Sequence, residues 1–251
     1  MMTRIKTEKE LAAMRESGHM LASVLQLLKS KTVPGISTKE LADIARDELQ
    51  HLGGEPSFLG YQGFPDVLCV SINEEVVHGI PKPQKLIADG DIVSLDFGVT
   101  YRGMITDGAL SLIAGKAKQK RHVELVDNTE RALQIGIDEV HDRVRTGDIG
   151  AAIEQFLLHK RYGIVRDLVG HGVGHALHED PNIPNYGRAG SGPWLDAGMT
   201  IAIEPMATLG TDRVVLAEDE WTILTADNSW AAHFEHTVAI TQDGAEILTL
   251  L

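Results

Sequence analysis

Apolar positions near the start of the chain recur at helical spacing. Leu11, Met14, Leu21, Val24, Leu25 and Leu28 share one stripe, and Thr7 with Glu10 forms a Thr-x-x-Glu capping box ahead of them. Pro34-Gly35 interrupts the pattern. Ser37 and Glu40 form a second capping box before Leu41, Ile44, Ala45 and Leu49, and Gly53-Gly54 ends that helix. The pattern then changes to strand-like runs over 67–72, 92–97 and 104–113, with turns at Pro81, Gly90 and Arg102-Gly103. Helical spacing returns from about 122 to 144. After Thr146-Gly147 it predicts a fourth helix, capped by Asp148, with Ile153, Phe156 and Leu157 on its apolar face. From about residue 164 the chain again reads as strands and loops.

Two helices followed by strands, twice over, predict an internal duplication. Aligning Gly35 with Gly147 pairs Leu41 with Ile153 and Ile44 with Phe156. His78-Gly79-Ile80 matches His171-Gly172-Val173, and Gly90-x5-Asp96 matches Gly198-x5-Glu204. Asp107-x2-Leu110-x-Leu112 matches Glu235-x2-Val238-x-Ile240. The offsets drift, as they do when loops differ in length, but the order is constant. The expectation is a single catalytic domain of α/β (α+β) class over 1–251. Its two related halves, approximately 1–117 and 118–251, face each other around one site.

Charge and cysteine usage narrow the class. The 251 residues hold 23 Lys and Arg against 36 Asp and Glu, a formal charge of −13. A duplex nucleic-acid binder needs a basic face, so nucleic acid is not an expected partner. The lone cysteine, Cys69, excludes an intramolecular disulfide and suits a reducing compartment. The start, Met1-Met2-Thr3-Arg4, is polar at once, and no later run is long and apolar enough to span a bilayer. A soluble, cytoplasmic protein without membrane contact is expected.

The candidate chemistry lies in acids that interrupt apolar strands. Asp96 does so in Ile92-Val93-Ser94-Leu95-Asp96-Phe97, and Glu204 in Ile201-Ala202-Ile203-Glu204-Pro205. A buried carboxylate is costly unless it is paired or binds a cation. For one such acid a buried salt bridge explains the sequence equally well; two at matching repeat positions favour metal. A hairpin turning between Tyr101 and Arg102 would set Asp96 directly opposite Asp107, with Cβ atoms about 5 Å apart. Two like charges there call for a cation. Glycines flank His171 in Gly170-His171-Gly172-Val173-Gly174, and Glu235 is the repeat partner of Asp107. The ligand set is then Asp96, Asp107, His171, Glu204 and Glu235. Four carboxylates balance two divalent ions, which can share a water and lower its pKa, chemistry suited to amide hydrolysis. There is no G-x-S-x-G, no P-loop and no dinucleotide fingerprint, and Cys69 has no recognisable partner.

These motifs resemble a known family. Phe58-Leu59-Gly60-Tyr61-x-Gly63-Phe64-Pro65, Ser71-Ile72-Asn73-Glu74, His78-Gly79-Ile80-Pro81, the Asp96/Asp107 pair, Gly170-His171-Gly172, Ile203-Glu204-Pro205 and Phe234-Glu235-His236-Thr237 together look like type I methionine aminopeptidase. The likeness spans nearly the whole chain and implies a pita-bread fold with pseudo-twofold symmetry. It implies that Asp107 and Glu235 bridge two divalent ions (Co, Mn, Fe or Zn) and that Glu204 is also general base and acid. It gives His78 and His178 substrate contacts that stabilise the tetrahedral intermediate. It assigns Phe58, Tyr61, Phe64, Cys69, Leu177 and Trp221 to a methionine pocket, although core packing is the ordinary role of any one of these. Phe64 and Leu177 stand where relatives often carry Tyr and Phe.

The implied partners are the N-terminal methionine of nascent polypeptides, with a small second residue, and a transient ribosome contact; the implied state is a monomer. The gap of 33 between His171 and Glu204 leaves no room for the helical insertion of type II relatives. Two alternatives carry different chemistry. One is an Xaa-Pro aminopeptidase or prolidase of the same fold, which usually has an added N-terminal domain. The other is a non-catalytic peptide-binding protein, which would have lost metal ligands.

Overall fold

The computed structural model describes residues 4–251, so the polar start at Met1, Met2 and Thr3 lies outside the described residues. Both capping boxes form. Thr7 Oγ1 accepts from Glu10 N at 3.3 Å while the Glu10 carboxylate accepts from Thr7 N at 2.7 Å, which starts α1 (Glu8–Lys31). Ser37 and Glu40 do the same for α2 (Thr38–Leu52), which ends on Gly53 at φ 82°. Every apolar position predicted for the α1 stripe is buried.

The second helical pair departs from the sequence reading. The helix expected to reach Val144 is α3 (Lys120–Asp138) and stops earlier. Val140 and Val144 continue the apolar spacing and are buried. However, Arg143 takes a left-handed φ of 65°, and Val144–Arg145 pairs with Trp194–Leu195 as short strands. Spacing identified which side chains are buried but not the backbone that buries them. Nor is Asp148 the N-cap of the next helix, α4 (Thr146–His159). It is the third residue, where its carboxylate accepts from Arg145 N at 3.0 Å and Gly190 N at 2.6 Å and sits favourably at the positive end of the helix dipole.

Nine strands form the main sheet: β1 (Glu55–Pro56), β2 (Cys69–Ile72), β3 (Ile92–Tyr101), β4 (Met104–Ile113), β5 (Gly170–Gly172), β6 (Glu179–Ile183), β7 (Thr200–Ile203), β8 (Glu235–Ile240) and β9 (Ala245–Ile247). Their order is β1-β3-β4-β8-β7-β5-β6, with β2 also beside β3 and β9 also beside β8, and neighbours are antiparallel. Outward from the central β4–β8 pair, β3 then β2 on one side mirror β7 then β5 on the other. The strand order is therefore pseudo-symmetric about that pair. The helices also follow this symmetry, with one correction. α2 and α4 begin at 38 and 146, the same separation as Asp96 and Glu204, so Leu41 corresponds to Ile149 rather than Ile153. The Gly35–Gly147 alignment was out by one helical turn, which keeps the apolar face and so escapes notice in sequence.

Period-two alternation decides what each sheet face carries. On β3, Val93, Leu95, Phe97 and Val99 pack with Leu21, Leu28, Leu41 and Leu49 of α1 and α2. On β7 and β8, Ile201, Ile203, Val238 and Ile240 pack with Leu125, Leu133, Ile153 and Leu157 of α3 and α4. The alternate residues, among them Asp96, Asp107 and Glu235, go to the opposite face.

The β3–β4 register also differs from expectation. Asp96 is opposite Ala109, and Asp107 is opposite Gly98. The turn is the two-residue Arg102-Gly103, with φ of 51° and 77°, and Tyr101 pairs with Met104. A two-residue hairpin loop of this kind needs positive φ at both positions. The resulting shift is by two residues, so both acids stay on one face as diagonal neighbours rather than a direct pair.

α1 also closes over the chain end. Leu11 and Met14 pack with Met104, Ala239 and Leu248. Gly18 lets the helix approach so closely that an added Cβ would lie 1.9 Å from Leu248 O. Gly18→Ala is expected to destabilise the fold by about 1–3 kcal/mol despite its better helix propensity. Urea unfolding measures this, and an unchanged midpoint would show that the helix and chain end separate without cost.

Candidate metal centre

On the helix-free face lies a cavity of about 210 Å³. Every site residue nominated from the sequence lines it, and Gln62 is added. The sheet supplies the charged end. Asp96 lies in β3, Asp107 in β4, His171 in β5 and Glu235 at the start of β8; Glu204 directly follows β7. Thr237 ties the two halves together here, its hydroxyl accepting from Asp107 N at 2.9 Å and donating to Asp107 O at 2.8 Å. Asn185 Nδ2 donates to Glu204 O at 2.9 Å and fixes the backbone beside that acid.

Ligand atoms of Asp107, His171 and Glu235 lie within 4.8 Å of one another, as do those of Glu204, His233 and Glu235. Glu235 belongs to both groups. His171 Nδ1 engages Gly172 O at 2.9 Å, which leaves Nε2 facing Glu204 Oε1 at 3.6 Å. Such a backbone contact fixes the tautomer of a metal-binding imidazole.

The repeat partner assigned to His171 needs correction. By sheet register His171 is opposite Ala202 as Ser71 is opposite Ser94, so its structural counterpart is Ser71, not His78. Ser71 Oγ accepts from Gly79 N at 3.1 Å. His78 sits outside the strands at φ 59°, its ring 6.5 Å from that of Trp221. His178 is exposed at the cavity mouth, where its Nδ1 meets Tyr61 OH at 2.8 Å. Glu179 holds the segment carrying Leu177 and His178: its carboxylate accepts from His175 N at 2.7 Å, Ala176 N at 3.0 Å and the buried Lys6 Nζ at 3.0 Å. Phe58, Phe64, Cys69 and Leu177 form the apolar end with Tyr61 and Trp221 packed against them.

The electrostatics of the charged end are severe. Burial raises Asp96 to about 7 and Glu204 to about 8. Burial and the neighbouring acids push Asp107 and Glu235 well above the usual carboxylate range. Burial lowers His171 to about 3 and His78 to about 4, so both rings are neutral at neutral pH. The buried Cys69 thiol is pushed well up, which keeps it protonated and poorly nucleophilic. Asp96 Oδ1, Glu235 Oε1 and both ring nitrogens of His233 are buried without a hydrogen-bond partner. Unpartnered buried oxygens and imidazole nitrogens are the donor set of a divalent cation, and two convergent groups (Asp107, His171 and Glu235; Glu204, His233 and Glu235) fit one.

His233 was missed in the sequence. The available signal was its spacing of two from Glu235, which puts both side chains on one face of extended chain. With 11 histidines in the chain, that signal was ambiguous.

The sequence profile of metallopeptidase family M24 matches residues 12–242. The chain belongs to metallopeptidase family M24. It is 43% identical over 248 residues to the methionine aminopeptidase of Mycoplasma capricolum, covering 99% of this chain and 98% of the relative. It is 44% identical over 244 residues to methionine aminopeptidase 1 of Bacillus subtilis, covering 97% and 98%. Its structure matches that of methionine aminopeptidase from Thermotoga maritima with a TM-score of 0.98 at 44% identity over the full length of both. Prolidase from Pyrococcus furiosus shares the fold at a TM-score of 0.78 and 22% identity, over 98% of this chain and 65% of that one. The pita-bread fold implied by the motifs is the observed one. Membership of M24 implies use of a divalent metal, and this acid cluster is the candidate place for it.

The metal-free centre holds protons on its acids at neutral pH, so a divalent ion must displace them. Metal affinity should rise with pH through the raised values of Asp96 and Glu204, about 7 and about 8, and go on rising while Asp107 and Glu235 still hold protons. Calorimetry in two buffers of different ionisation enthalpy reads the released protons, and no release near pH 7 would contradict the charge arrangement. Stability of the metal-free protein runs the other way. Above the ordinary carboxylate range only the unfolded chain ionises these groups, so stability falls until the pH passes their raised folded values.

Proposed function

We propose that the chain is a methionine aminopeptidase acting as a single catalytic domain, which removes the N-terminal methionine of peptides and nascent polypeptides and favours a small second residue. The observation that carries this is one small cavity joining the acid cluster to an apolar end. At about 210 Å³ it is smaller than the ~300–1,000 Å³ of sites for drug-sized ligands, and it suits one side chain. Phe64 and Trp221, with ring centroids 5.1 Å apart, offer edges and faces to a thioether. Chain-wide likeness to methionine aminopeptidases supports the same reading.

Asp96, Asp107, His171, Glu204 and Glu235 would hold two divalent ions (Co, Mn, Fe or Zn), with Asp107 and Glu235 shared. When bound, the ions supply Lewis acidity and an acidified water. Glu204 would take the proton from the attacking water and return it to the leaving amine. His178, its Nδ1 occupied by Tyr61, presents Nε2 to the scissile amide, and neutral His78 hydrogen-bonds the substrate from the Trp221 side. Phe58, Phe64, Cys69, Leu177 and Trp221 exclude water from the methionine side chain. No helix among the described residues is long and apolar enough to cross a membrane, and with the single cysteine this supports action in the cytoplasm. A monomer in transient contact with the ribosome fits an enzyme that meets nascent chains.

The direct test strips the protein with chelator and restores Mn, Fe(II), Co or Zn separately. Met-Ala-leading peptides should lose one residue only when metal is returned, while Leu-Ala, Met-Lys and Xaa-Pro peptides persist. Glu204→Ala should reduce turnover by at least about 100-fold. Preferential cleavage of Xaa-Pro would instead assign the chain to the prolidase type. Trp221→Ala should relax the preference for methionine over leucine without changing metal content; altered metal content would place Trp221 in support of the ligands.

A further inference from the structure

His233 has no role in the five-ligand site, yet its environment is that of a ligand. Its side chain is 2% exposed, and neither ring nitrogen has a hydrogen-bond partner. The residue is firmly seated: its backbone N donates to Ser111 Oγ at 2.9 Å, and Ser111 Oγ donates to its carbonyl at 2.8 Å. Nε2 lies 3.6 Å from Glu204 Oε2 and 3.9 Å from Glu235 Oε2. Those separations are too long for hydrogen bonds. They are within a few tenths of an ångström to an ångström of the ~3.0–3.5 Å that separates two atoms each about 2.1 Å from one ion.

The placement mirrors that of His171. Glu204 Oε1 faces His171 Nε2 at 3.6 Å while Oε2 faces His233 Nε2 at the same distance. The two groups that could each hold an ion contain one histidine apiece and share Glu235. A carboxylate bracketed by two buried imidazoles, each converging with Glu235, has one nitrogen donor on either side.

We infer that His233 is a sixth protein ligand, its Nε2 binding the second ion of the pair, on the side of Glu204 away from His171. The inference rests on the two-ion reading of this centre and adds a nitrogen to an ion otherwise held by oxygen. Nitrogen favours Co, Ni and Zn over Mn more strongly than carboxylate does, so the second site should discriminate among metals by more than an all-oxygen site.

The test loads metal-stripped protein with Co(II) and records proton NMR in water. Only imidazoles bound to the paramagnetic ion give strongly shifted, exchangeable N–H signals. Two such signals are expected in the wild type. His233→Gln should remove one and weaken binding of the second Co(II) at least about 10-fold in calorimetry, and His171→Gln should remove the other. Two bound ions with one shifted N–H signal in the wild type, a result that needs no variant, would overturn the role of His233 and leave the two-ion reading intact. Folded protein that binds no Co(II) would overturn both.

Discussion

Asp96, Asp107, Glu204 and Glu235 line one cavity with their side chains largely buried, and four ionised carboxylates cannot coexist there without cations. Much of the structure is explained by holding them in place regardless. Strands are the economical means, because alternate residues project to one face at fixed intervals. A strand that keeps its apolar positions under a helix presents its acids to the opposite side. β3 does this with Leu95 and Phe97 against Asp96, and β8 with Val238 and Ile240 against Glu235. The cost of crowding the acids is therefore carried by the two helix-covered cores.

The pseudo-symmetry adds a second consequence. The acids of each half come close only because β4 and β8 are neighbours at the centre of the sheet, joined beside Asp107 by Thr237. The two halves are not identical. The strand position that gives His171 in one half gives Ser71 in the other, where the hydroxyl is engaged by Gly79 N. The other two histidines of the cavity are placed asymmetrically in the same way: His78 comes from a left-handed turn and His178 from a loop pinned by Glu179. One face of the sheet thus combines a nearly symmetric acid cluster with an unsymmetric apolar recess.

Much of this was legible in the sequence. The capping boxes at Thr7 and Ser37, the α1 stripe, the repeat order and the acids interrupting apolar strands depend on local spacing, and local spacing is what a sequence records directly. Family motifs then gathered residues as distant as Phe58 and Glu235, and all of them line one cavity. Local rules failed where a single backbone angle redirected the chain. Positive φ at Arg102 and Gly103 moved the hairpin register by two, and α3 stopped at Asp138, with Arg143 at φ 65° turning the chain beyond it, although the apolar spacing continued.

The sequence by itself determined which side chains are buried, which acids are on the same face as one another, and to which family the chain belongs. Each of these follows from periodicity or from motifs short enough to read along the chain. Only the tertiary structure decided the partners across strands: Ala109 rather than Asp107 opposite Asp96, and Ser71 rather than His78 as the counterpart of His171. It alone set His233 beside Glu204, because that contact joins two segments nearly thirty residues apart through a sheet register that no local pattern encodes.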